Sequence, residues 1–203
     1  MKLFYAPAAC SLGPHIIFRE AGLDNVSLVK VTFGKERPTD DGRNFYDINP
    51  QGAVPALELD DGQVLTEAQV LLQFLAAQKP EAKLAPTEGM ARWRLLETLN
   101  FISTELHKGT SPLFKNPAPD AAEAVKANLV NRYKLLEQKL GDKEYLLGEF
   151  SIADAYAYVV LNWARRFEVS VSPKLETYFA RVRSRPAVQK ALQEEGLPTS
   201  RGL

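Results

Sequence analysis

A short apolar run, Lys2–Ala6, predicts a first strand, and Pro7–Cys10 predicts a loop. From about Ser11 to Glu20 the pattern is helical, and Gly22 suits a left-handed cap just beyond it. Ser27–Val31 is Val-rich and alternating, a second strand. Strand, helix and strand in so short a span form a βαβ unit, which implies parallel pairing. Thr32–Asn44, with Gly34, Pro38 and Gly42, predicts a loop, followed by a short helical piece over 44–48 and a turn at Asn49–Gly52. Pro55 opens an alternating run, Ala56–Leu59. Asp60-Asp61-Gly62 then marks a hairpin turn, Gln63–Leu65 returns antiparallel, and a helix runs from Thr66 and Glu67 to about Gln78.

Pro80 and Pro86 make 79–87 a linker, and everything after it reads helical: near Glu88–Lys108, Asp120–Leu140, Ser151–Arg166, Lys174–Arg183 and Ala187–Glu195. The expected organisation is a β-α-β, β-β-α domain over 1–78 and an all-helical domain over 88–203. Ser151 and Asp154 fit a capping box with Asp in place of Glu. The helix they start is apolar on nearly every side, which predicts a central, buried position. Asp154 therefore reads as structural rather than catalytic.

Composition narrows the function classes. Lys plus Arg and Asp plus Glu both number 25, so the formal net charge is zero and no basic stripe points to nucleic acid. The longest apolar stretch, Ala155–Leu161, is far short of a membrane span, and Met1–Ala6 is too short for a signal peptide. A single cysteine makes no internal disulfide and fits a reducing cytoplasm. No Cys or His cluster has metal spacing, and no phosphate loop or dinucleotide fingerprint is present.

Four features can carry chemistry. Cys10 stands at a predicted helix start, where backbone N–H groups favour a thiolate and lower its pKa. Tyr5 and Ser11 are rival hydroxyls, one plainly read as packing and the other as an N-cap, and Cys10 ranks above both because sulfur also forms mixed disulfides. Pro55, at a strand start after Val54, suits a cis bond, which would turn the Val54 backbone outward to pair with an extended peptide ligand. Glu67 and Ala68 open a helix, where free N–H groups can hold a carboxylate and the Glu67 side chain can accept from an ammonium. Finally, Trp93, Glu97, Asn100, Thr104 and His107 share one polar helix face, opposite Leu95, Leu99, Ile102 and Leu106. His15 lies inside the first helix and reads as structural.

Taken in order, Lys2-Leu3-Phe4-Tyr5, Ala9-Cys10-Ser11-Leu12, Asn49-Pro50 with Gly52 and Val54-Pro55, Leu65-Thr66-Glu67, Leu99-Asn100-Phe101-Ile102, Thr104-Glu105-Leu106-His107-Lys108 and Ile152-Ala153-Asp154 resemble the bacterial beta-class cytosolic glutathione transferases. The Cys10 and His107 pair points to the beta class. The resemblance implies a thioredoxin-like N-terminal domain, an all-α C-terminal domain and a homodimer. It implies glutathione as co-substrate in the cleft, with Cys10 near its sulfur and His107 assisting. Val54 would pair with the cysteinyl backbone, Glu67 and the Ala68 amide would hold the γ-glutamyl end, and Lys35 would approach the glycyl carboxylate, a role that Arg37 can also take. Asn100, Thr104, Glu105 and Leu106 would complete the site, some across the dimer interface. Ala68 departs from the Gly or Ser more usual there, so only its N–H serves.

The expected reaction is attack by a thiolate on an electrophilic carbon, a peroxide or a disulfide, the last through a mixed disulfide at Cys10. The alternative is a non-catalytic glutathione- or ligand-binding module on the same fold.

Overall fold

The computed structural model describes residues 1–199. In chain order its elements are β1 (Lys2–Tyr5), α1 (Leu12–Glu20), β2 (Ser27–Lys30), a 3₁₀ turn (Phe45–Asp47), β3 (Ala56–Glu58), β4 (Val64–Thr66) and α2 (Ala68–Ala77). After a 3₁₀ turn (Pro80–Ala82) come α3 (Gly89–Phe101), a π-helical stretch (Ile102–His107), a single turn α4 (Lys108–Thr110) and a 3₁₀ turn (Ser111–Lys115). The chain continues through α5 (Pro119–Leu140), α6 (Ile152–Arg166), α7 (Pro173–Arg183) and α8 (Pro186–Glu194).

These elements form two compact units. One is Met1–Leu84 with the described chain from Ser184 onward, and the other is Ala85–Arg183. The break near residue 84 lies within the linker expected at 79–87. The helical domain expected over 88–203 is divided differently: α8 belongs to the first unit, because it packs on α1. The last four residues of that expected domain lie outside the described residues.

In the first unit the strands run β2-β1-β3-β4, with β1 and β2 parallel and the other pairs antiparallel, as the βαβ and hairpin patterns require. Phe4, Val29, Val31, Phe45, Val54 and Ala56 build the core on one sheet face. Strand alternation sends Leu3 and Leu57 to the other face, and both are fully buried. Pro14 sits in the first turn of α1, where a missing N–H costs nothing. Gly52 cannot be replaced freely: φ is +62°, and an added Cβ would lie 2.5 Å from the Tyr46 ring.

In the second unit α6 is the central helix, with 12 of its 15 residues buried. The predicted capping box is present: Ser151 Oγ accepts from the Ala153 N–H, and Asp154 Oδ2 accepts from the Ser151 N–H at 2.8 Å. The helix expected over 88–108 is not continuous α-helix. It changes at Ile102 to i→i+5 bonding, as the Lys108 N–H donation to Ser103 C=O shows. The Thr104 hydroxyl donates to the Asn100 carbonyl at 3.0 Å, and such bonds to the i−4 carbonyl disturb a helix ladder.

Candidate active site

Register brings the first unit's candidates together. Tyr5 at the end of β1 pairs with Lys30 at the end of β2, while Phe4 faces Ala56 at the start of β3, and Ala56 faces Thr66 at the end of β4. The segments carrying Cys10, Lys35, Val54 and Glu67 therefore all leave the same end of the sheet.

Cys10 is buried, 9% exposed, and its thiol donates to the Val54 carbonyl at 3.0 Å. The expectation of a lowered pKa is corrected. Burial pushes the thiol up to about 12, outweighing the downward pull of its own N–H and that of Ser11, and the Glu67 carboxylate adds to the rise. A helix start favours a thiolate only where solvent or ligand relieves the desolvation.

Ser11 stands at the N-cap position of α1, as expected, but its side chain makes no cap bond and is not offered to a ligand. It is fully buried, and its hydroxyl spans the Ala6 N–H and C=O at 3.2 Å each. Tyr5 is also buried, and burial followed by nearby Glu195, Asp40 and Glu194 raises its phenol pKa.

The Val54–Pro55 bond is cis, the option that its strand-start position allows although spacing alone favours a plain turn proline. The Val54 N–H has no partner among the described residues. Glu67 occupies the N-cap of α2 at φ +70° and ψ +118°, a conformation L-residues rarely adopt, and its exposed carboxylate makes no cap bond. Such local strain concentrates at ligand-binding positions. Ala68 is buried, and its N–H is one of the first-turn donors that a helix leaves unpaired. Lys35 is exposed. Arg37 lies over the rings of Phe33 and Tyr46 at 4.9 and 5.6 Å, and its buried Nε has no hydrogen-bond partner among the described residues.

In the second unit the apolar face is as expected, with Leu95, Leu99, Ile102 and Leu106 fully buried. Leu106 therefore has no side-chain atom to offer a ligand. Asn100 and Thr104 are exposed, while Glu105 pairs with Arg132 of α5 at 3.1 Å. His107 leaves the exposed stripe. A π turn holds one residue more than an α turn and so shifts its phase, a feature common at functional sites. The ring packs edge-on to Trp163 at 4.9 Å, and Nδ1 lies 2.7 Å from the Tyr156 hydroxyl.

Burial, with Lys108 adding to it, drops the His107 pKa to about 4, so the ring is neutral at pH 7. A base this weak serves better as a hydrogen-bond donor. The shift also has a stability consequence. Between pH 6.5 and 4 the unfolded chain takes up a proton on this residue and the folded one does not, so stability falls as pH falls through that window. His107→Phe should lose less stability than wild type from pH 7 to 4, by roughly 3 kcal/mol at most. Urea midpoints at both pH values check this, and parallel losses in the two proteins would refute it.

Among the described residues no group of three or more His, Cys, Asp or Glu can hold a metal, and no helix is long and apolar enough to cross a membrane.

Residues 9–78 match the family model for the glutathione S-transferase N-terminal domain, and residues 101–186 match that for the C-terminal domain. Glutathione S-transferase GstA of Escherichia coli O157:H7 is 42% identical over 202 residues, covering 97% of this chain and all of that one. A bacterial beta class glutathione S-transferase structure from Sphingomonas chungbukensis superposes with a TM-score of 0.90 at 41% identity, over 98% of this chain and 100% of that one. A sphingomonad glutathione S-transferase complexed with glutathione gives 0.89 at 42% identity, again over 98% and 100%. With both domains matched in order and the likeness running the length of the chain, this protein belongs to the glutathione S-transferase family, in its bacterial beta class.

Proposed function

We propose that the protein binds glutathione at the sheet end of its first unit and uses it as co-substrate in transfer to electrophiles and in thiol–disulfide exchange. One observation carries the reading. A buried cysteine, the unpartnered Val54 N–H and the strained start of α2 meet where β1 and β4 end and β3 begins, in register.

In this assignment the Val54 N–H and C=O pair with the cysteinyl backbone of the tripeptide. The incoming ligand N–H takes the carbonyl that Cys10 occupies, and the freed Cys10 S–H donates to the glutathione sulfur. A donor at that point stabilises the glutathione thiolate, which is the nucleophile. The first N–H groups of α2, Ala68 among them, hold the γ-glutamyl carboxylate, and Glu67 accepts from its ammonium. Lys35 or Arg37 meets the glycyl carboxylate. In exchange, a Cys10 thiolate attacks the glutathione sulfur of a mixed disulfide, joins it covalently and expels the other thiolate. A second glutathione then reduces the protein mixed disulfide and leaves as glutathione disulfide.

His107 acts as a neutral donor to the substrate. By family match Asn100, Thr104, Glu105 and the Leu106 backbone complete the site. The second substrate is a small electrophile, peroxide or disulfide. Met90 and Trp93, 67% and 62% exposed, give a second copy an apolar surface to cover, in keeping with a homodimer working in the cytoplasm. A non-catalytic module is the less favoured reading, because Cys10 retains a usable thiol.

Calorimetric titration tests the assignment. Wild type should bind glutathione, and Glu67→Gln should bind it about tenfold more weakly, since an acceptor oxygen remains but its negative charge against the ligand ammonium is lost. No heat with wild type would sink the reading, and equal affinities would remove Glu67 from it.

A further inference from the structure

We propose that Glu195 is a positioning residue for Cys10, held in place by His15, so that the end of α8 fixes the loop that presents the thiol. The functional weight of this rests on Cys10 being the reacting cysteine, but the geometry stands by itself. Ala8, two residues before Cys10, has φ +59°, a left-handed conformation that costs a non-glycine residue energy and needs something to hold it. Its N–H donates to Glu195 Oε2 at 2.9 Å. The next residues form a tight turn, with the Ala9 N–H on Ala6 C=O and the Leu12 N–H on Ala9 C=O, both at 3.0 Å. Moving Ala8 therefore moves Cys10.

Glu195 is itself fixed. Its other oxygen lies 2.9 Å from Nδ1 of His15, which is fully buried. Nε2 of the same ring meets Glu194 Oε2 at 2.8 Å, and that oxygen also accepts from Arg19 Nε at 2.8 Å. Both ring nitrogens of His15 thus face a carboxylate oxygen. Burial works to raise the Glu194 carboxyl, but the bonds from His15 and Arg19 prevail and hold it below its ordinary range.

Two acids at the C-terminal end of a helix are unfavourable, because the last carbonyls there are already negative. His15 and Arg19 offset that cost. Glu194 serves docking, through its contacts with His15 and Arg19 of α1. What Glu195 adds is an acceptor aimed at the Ala8 N–H.

Cys10 is the sole cysteine, so its alkylation by iodoacetamide reports the loop directly and needs no glutathione. Wild type should react slowly, Glu195→Ala about tenfold faster, and Glu195→Gln, which keeps an acceptor oxygen, within about threefold of wild type. Arg185→Ala is the control. It breaks the paired contacts from Arg185 to Glu20 at the other end of α8, so it loosens docking without touching the loop, and it should react as wild type does. An unchanged rate in Glu195→Ala, or an equal acceleration in Arg185→Ala, would overturn the proposal. If Glu195→Ala does not fold, His15→Asn and His15→Gln decide. The Asn amide nitrogen falls near the place of Nδ1 and should keep the slow rate, while that of Gln falls near Nε2 and should not. Equal rates in the two would also overturn it. A failure to bind glutathione would remove the catalytic meaning of Cys10 and leave these rates readable.

Discussion

Replacing Cys10 with Ala is expected to reduce thiol–disulfide exchange to background, a fall of at least about a hundredfold, and to slow conjugation only about tenfold. The two losses differ because the two reactions ask different things of the sulfur. Exchange through a protein mixed disulfide requires a sulfur atom at this position, and no neighbour can supply one, since the chain has a single cysteine. Conjugation asks Cys10 only for a hydrogen bond to the glutathione thiolate, worth about a factor of ten. Cys10→Ser separates the roles: a hydroxyl should restore conjugation and leave exchange absent. The pH dependence of the wild type follows from burial. With the thiol raised to about 12, on the order of one molecule in 10⁵ carries the thiolate at pH 7. Single-turnover attack by Cys10 should then rise nearly tenfold per pH unit from 7 to 9 with no plateau. A plateau below pH 9 would mean that bound substrate relieves the desolvation. Exchange that survives in Cys10→Ala would remove the residue from the reaction.

Much of the first unit was legible in the sequence because its signals are local. The Asp60-Asp61-Gly62 turn sets the β3–β4 hairpin register, and that register places Glu67 beside the Val54 segment. The Ser151 box and the all-round apolar character of α6 likewise read correctly, since capping and burial are written within a few residues. What the sequence did not show depends on distant partners. A helix start at Cys10 is visible, but the burial that outweighs its electrostatics comes from packing. The π stretch at Ile102–His107 keeps the apolar spacing of an α-helix over Leu99, Ile102 and Leu106, so periodicity passes over it. His107 then turns toward Tyr156 and Trp163 of α6, partners about fifty residues away. The docking of α8 on α1 brings together residues such as His15 and Glu195, 180 residues apart, and no local pattern links them.

Asp154→Ala should destabilise the second unit by about 3 to 5 kcal/mol, among the largest effects of any single substitution. Four donors converge on this fully buried carboxylate. The Leu146 N–H at 2.9 Å and the Tyr178 hydroxyl at 2.7 Å meet Oδ1, while the Ser151 N–H at 2.8 Å and its hydroxyl at 2.9 Å meet Oδ2. Ala leaves both backbone donors orphaned in an apolar interior, where neither can turn away or reach water. Asp154→Asn should cost less, about 2 kcal/mol. Whichever way the amide is oriented, one oxygen satisfies one pair of donors. On the other side the hydroxyl rotates to accept from the amide, and a single backbone N–H remains unpaired. Tyr178→Phe removes a donor and leaves the carboxylate three others, so about 1 kcal/mol is expected. Urea unfolding followed by circular dichroism gives the order directly: Ala most, then Asn, then Phe. If Ala cost no more than Phe, the carboxylate would not be what anchors the start of α6, and the hydroxyl of Ser151 alone would be the cap.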